Sequence, residues 1–260
     1  MKRFRAYWLA PLLYFLCITA QAACVDDAER VRGEYLVSLA PSSGVLLRIE
    51  QIEEELSVFI SDQQTSMRIA HPGGAGIDHY ILLESGEAAR VLELCLVARY
   101  AHAQPGTFDI LEIPTGNFST AELTLLREMT QASMYWGEDN PASRLEALQI
   151  YLRVGAASLP AGSPITERAG LFEALALMSR SEHSVAIERL KALFSSQIKD
   201  PTTLYKASWT QGEALLRLRQ TDDAIASIEN AISIIEGELQ GSAGEASRDL
   251  ADIRLLLAEA

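Results

Sequence analysis

Residues Tyr205 to Glu238 constrain this chain more than any other stretch. They read as a helix, a short turn and a second helix, with Gly212, Leu215, Ala224, Ile228 and Ala231 at offsets that bring the two helices together. Small residues stand where the helices cross closely, and Ile228 supplies bulk to fill the gap between them. A hairpin of this kind cannot bury its apolar faces alone. It requires neighbours, and therefore a stack of helices with a concave side.

The same offsets recur upstream. With Tyr205 as position 1, the residues above fall at positions 8, 11, 20, 24 and 27. Counting from Glu167 instead gives Ala174, Leu177, Ala186, Leu190 and Leu193 at those positions. A third pair, Ser119 to Ala157, agrees through Ala147, Tyr151 and Val154. Ser119 with Glu122 forms a capping box that opens this helical part. Asn140-Pro141 and Asp200-Pro201 read as helix stops, and Gly237 to Gly244 as a break before a last helix from about residue 244 to 260. This register resembles the tetratricopeptide repeat, with longer turns between units than the usual 34-residue period allows.

That resemblance implies a function for particular positions. In such arrays positions 2, 5, 9, 12 and 13 of each first helix line the concave groove. Here they are Lys206, Trp209, Glu213, Leu216 and Arg217, and Arg168, Leu171, Leu175 and Met178 in the preceding unit. Trp209 between Lys206 and Arg217 would anchor a peptide that carries an apolar and an acidic group. The alternative is that Trp209 packs between repeats. The expected partner is a protein or peptide.

Residues 23–115 have a different texture. Short runs of period two surround Tyr35 to Leu39, Val45 to Ile49, Leu56 to Ile60, Met67 to Ile69, Ile77 to Leu83, Val91 to Tyr100 and Phe108 to Ile113. Turn residues such as Pro41-Ser42-Ser43-Gly44 and Ser85-Gly86 separate them. Around seven strands at this spacing point to an antiparallel β-sandwich. The segments GEYLVSLAPSSGVLLRIEQ, SGEAARVLELCLVARY and PGTFDILEI make this part resemble the jelly-roll module of the bacterial pre-peptidase C-terminal type. The expected fold is thus a jelly-roll-like sandwich, residues 23–115, followed by an α-helical tetratricopeptide-like array, residues 119–260.

The first 22 residues read as a signal peptide. Lys2, Arg3 and Arg5 precede an apolar run from Tyr7 to Thr19, and Ala20-Gln21-Ala22 supplies a small-residue cleavage pattern. The run is too short to span a membrane, so export to the periplasm or beyond, without membrane insertion, is expected. A lipoprotein anchored through Cys24 is the alternative. Of the 22 basic residues three leave with this segment, and none of the 35 acidic ones do, so the formal charge goes from −13 to −16. Such a chain repels nucleic acid and anionic lipid. Cys24 and Cys95 remain, and an oxidising compartment favours their pairing, with two free thiols as the alternative.

No cofactor, metal or catalytic set is expected. His71, His79, His102 and His183 show no ligand spacing with the cysteines. Gly73-Gly74-Ala75-Gly76 lacks the Lys-Ser/Thr of a phosphate loop. Glu50, Glu53, Glu54, Glu55 and Asp62 lack calcium-loop spacing and read as a solvated turn. The order of signal peptide, jelly-roll-like module and repeats resembles the front half of bacterial CHAT proteins, in which a caspase-like protease domain follows. That resemblance implies a docking part, regulating a protease on the same or another chain. An envelope or glycan binder acting through the sandwich is the alternative function.

Overall fold

The computed structural model describes residues 31–51, 56–62, 66–70, 79–98, 108–138, 140–156, 164–238 and 250–256. The strands are β1 (Val31–Leu39), β2 (Gly44–Gln51), β3 (Leu56–Ser61), β4 (Ser66–Ile69), β5 (His79–Glu84), β6 (Arg90–Ala98) and β7 (Phe108–Pro114). The helices are α1 (Thr120–Gly137), α2 (Pro141–Gly155), α3 (Pro164–Ser179), α4 (His183–Ser195), α5 (Pro201–Arg217) and α6 (Thr221–Glu238). A further helical segment covers 250–256. The expected signal peptide, Cys24, the glycine-rich run and Glu53 to Glu55 lie outside the described residues.

Every strand pairing among the described residues is antiparallel. One sheet runs β1-β6-β3-β4 and the other β5-β2-β7. Alternation decides which side chains go inside. Val37 and Leu39, Val45, Leu47 and Ile49, Val58 and Ile60, Ile69, Ile81 and Leu83, and Leu92, Leu94 and Leu96 form one apolar cluster fed by both sheets. Leu36, one residue out of phase, is 67% exposed. The three-stranded sheet is buried on its other face as well. Leu46 pairs with Leu82 and Ile113 in the register, and this row packs against the helices. That explains why β2 reads as a nearly unbroken apolar run.

α1 joins the two halves. It lies along β4 and β5, the edge strands of the two sheets on that side. The Ala70 amide donates to the Ser133 carbonyl at 3.0 Å, and the Leu82 amide to Thr130 Oγ1 at 2.9 Å. A Cβ on Gly137 would stand 2.3 Å from the Arg68 carbonyl oxygen, so the helix end touches β4 backbone. Edge amides that would otherwise invite another strand are thereby satisfied.

Local signals set the helix ends. The Ser119–Glu122 capping box is formed in both directions. Asn140-Pro141 and Asp200-Pro201 differ from expectation. They open α2 and α5 rather than close the helices before them. Asn140 Oδ1 accepts from the Ser143 amide at 2.9 Å and Asp200 Oδ2 from the Thr203 amide at 3.1 Å, with proline in the first turn. A proline at that point loses no helical hydrogen bond.

The turns after α3 and α5 are alike. After α3, Ser181 has φ 62° and the Glu182 amide donates to the Leu177 carbonyl at 2.9 Å. After α5, Arg219 has φ 60° and the Gln220 amide donates to the Leu215 carbonyl at 3.0 Å. Residues 181 and 219 are 38 apart, the spacing that separates Ala174 from Gly212 and Leu190 from Ile228.

Candidate functional site

The first helices of the three hairpins, α1, α3 and α5, enclose a cavity of about 440 Å³ near their C-terminal ends. Trp136 comes from α1, Leu175, Met178 and Ser179 from α3, and Glu213 and Arg217 from α5. Ser181 and His183, at the α3–α4 turn, complete the rim. In the register defined above, Leu175 and Glu213 are at position 9, Met178 at 12, and Ser179 and Arg217 at 13. Trp136 is also at position 9 when the first hairpin is counted from Glu128.

The chemistry of the wall is mixed. Trp136, Leu175 and Met178 offer apolar and polarizable surface, and Arg144 stacks over the Trp136 ring at 5.7 Å. Glu213 and Arg217 lie one helical turn apart and face each other at 3.8 Å, with side chains 43% and 65% exposed. Two opposite charges at that distance on one exposed face hold each other weakly.

Five of the expected groove residues are elsewhere. Leu216, at position 12, is half-buried against the clusters of α5 and α6, and the other four are at positions 2 and 5. Arg168 is buried, with Nη2 donating to Asp200 Oδ2 at 3.2 Å and its guanidinium over the Tyr80 ring at 5.8 Å. Leu171 is fully buried in the cluster shared with Leu46 and Leu82 of the sheet. Lys206 is buried too, its Nζ 5.3 Å from the Tyr205 ring and 5.1 Å from the Trp209 ring. Trp209 is half-buried against the cluster of Tyr205, Ile228, Ala231, Ile234, Ile235 and Ile253, so it packs between elements rather than anchoring from an open wall. The physical reason is common to these positions. Positions 2 and 5 lie in the N-terminal half of each helix, where β5, neighbouring helices or the 250–256 segment already fill the space.

The residues expected to pack the repeat do so. Gly212, Leu215, Ala224, Ile228 and Ala231 are all buried. A Cβ on Gly212 would stand 2.6 Å from Ile228 Cγ1 and 3.3 Å from the Ala224 carbonyl, so α5 and α6 touch at the glycine.

At the opposite end of these helices a polar network ties the start of α3 to the start of α5. Glu167, buried, accepts from the Lys199 and Asp200 amides at 3.3 and 3.4 Å. Asp200 Oδ2 in turn accepts from Arg168, the Thr203 amide and the Thr203 hydroxyl. At the sheet side, His79 is buried with Nε2 donating to the Leu56 carbonyl at 3.0 Å. Burial, then the positive Arg168 nearby, hold its imidazole down to about 4. Arg127 donates twice to Glu84, both at 2.7 Å, and these bonds keep the Glu84 carboxyl below its usual range.

Cys95 is buried in β6 and is disulfide-bonded. Asp62 pairs with Arg90. Among the described residues no three His, Cys, Asp or Glu side chains group to hold a metal ion, and no helix is long and apolar enough to cross a membrane.

No protein-family model and no curated protein matches the chain. Among solved structures, a multi-domain immunophilin from Arabidopsis thaliana is similar over 78% of this chain and 95% of that one. The identity is 12% and the TM-score 0.33.

Sequence reasoning missed Ser179, Ser181 and His183 on the rim, and Trp136 in the wall. Trp136 reads as one more apolar residue on the α1 face. Its register position, counted back from Ala147 and Tyr151, is the signal that places it in the groove.

Proposed function

We propose that this chain is an exported, non-catalytic docking protein. On this reading a β-sandwich is fused to a tetratricopeptide-like array, and the array holds a segment of a partner protein on its concave side. The observation that carries the proposal is the cavity walled by three successive first helices. Such a surface is the one a stack of helical hairpins offers to a ligand. Export is supported by the order of basic, apolar and small residues in positions 1–22. Regulation of a caspase-like protease, on this or another chain, is the most specific form of the proposal and follows from the segment order.

Site-specific photocrosslinking on the chain with its native leader tests the docking. A photoreactive residue at Ser179 on the cavity rim should give discrete protein adducts in envelope fractions. The same residue at Leu145, exposed on α2 and not among the cavity-lining residues, should give none. Equal adducts from both positions, or none from Ser179, would discard the groove as the working surface.

A further inference from the structure

Cys95 points to what becomes of the N-terminus; this inference rests on the export reading above and not on docking. Cys95 stands in β6 between Leu94 and Leu96, whose side chains belong to the cluster between the sheets. Alternation therefore turns Cys95 to the outer face of the four-stranded sheet. Its neighbours in the register are Glu34 of β1 and Phe59 of β3. That face is not uniform. Leu36 and Val91 are exposed on it, whereas Cys95 is 1% and Val97 7% exposed. α1 meets the sandwich through β4 and β5, so the cover over Cys95 has another source.

Cys95 is disulfide-bonded. The chain has three cysteines, so the partner sulfur belongs to Cys17 or Cys24, both outside the described residues. Cys17 lies in the apolar run of the leader and departs with it on cleavage after Ala22. We infer that Cys24 holds Cys95 in the exported chain, and that its sulfur is therefore closed to lipid attachment. A lipoprotein cysteine spends that same sulfur on a thioether to diacylglycerol, so the two fates exclude each other. Closing the S–S bond takes one hydrogen from each thiol. The two electrons and two protons pass to a disulfide carried by an exported oxidoreductase, which leaves as a dithiol. The new N-terminus is then fixed to the outer face of β6, in its covered half.

Intact-mass measurement on the chain exported with its native leader tests this. Treated with N-ethylmaleimide before reduction, the protein should take up no label. After reduction it should take up two. Proteolysis without reduction should release one species that joins the peptides of Cys24 and Cys95, with no mass added by diacylglycerol. Cys95→Ser should leave one thiol open to label before reduction. It should also lower the melting temperature by about 10 °C, because a loop of about 70 residues is no longer closed in the unfolded chain. If that variant does not accumulate, the label count and the joined peptides of the natural chain decide. Diacylglycerol on Cys24, or two free thiols in the exported chain, would overturn the inference and leave export standing. A chain kept inside the cell with Cys17 still attached would defeat the export reading and the inference with it.

Discussion

Arg168 shows how a side chain's role depends on what stands opposite it. By register it belongs to the groove. In the structure its side chain is 3% exposed and paired with Asp200. Removing Asp200 takes a charged hydrogen-bond partner from a buried guanidinium, which costs about 2–3 kcal/mol. Asp200→Ala also removes the cap of α5, worth about 1 kcal/mol. We expect this variant to lose at least about 3 kcal/mol in urea unfolding, and adding Arg168→Met to recover a substantial part. His79 gives a second test. Its pKa is near 6.5 in the unfolded chain and about 4 in the fold, so the unfolded state binds more protons between those values. Stability is complete above pH 6.5 and falls as the pH drops toward 4, by roughly 3 kcal/mol from this residue. The pH dependence of unfolding should be shallower in His79→Gln by that amount. An unchanged slope would show that the imidazole is not buried neutral.

At the scale of elements, much was legible. Period-two runs located the seven strands found among the described residues, and the capping box at Ser119 marked the start of α1 within one residue. Those signals are local, and they act before any tertiary contact forms. Asn140-Pro141 and Asp200-Pro201 were read as stops because proline ends helices. Yet an acceptor side chain directly before proline is also a start signal, and here the start prevailed. The turns offer a prediction at this level. Arg219 is exposed and holds φ 60°, a conformation that costs a non-glycine residue about 1 kcal/mol. Arg219→Gly should therefore raise the melting temperature by a few degrees, and Ser181→Gly should do the same at the matching turn. Unchanged or lower values would mean that the side chains compensate for the strain.

For the molecule as a whole, the sequence order of strands then helices was legible, but not how the two parts meet. No residue pattern announces that Leu46, Leu82 and Tyr80 of the sheet will occupy the side facing α3, or that Arg168 and Leu171 will be used up in that contact. Arg168 and Leu171 are used up by the sheet, and Lys206, Trp209 and Leu216 by packing within the helices, while Leu175, Met178, Glu213 and Arg217 line the cavity. The same junction gives the helical stack a direction. α1 is held by hydrogen bonds from both sheets, whereas α6 meets only α5 and the short 250–256 segment strongly among the described elements. A helix with fewer packed neighbours among the described residues opens before one that is held on several sides. The groove sits between these two regimes, with one wall on the anchored helix and the other on the first helix of the last hairpin.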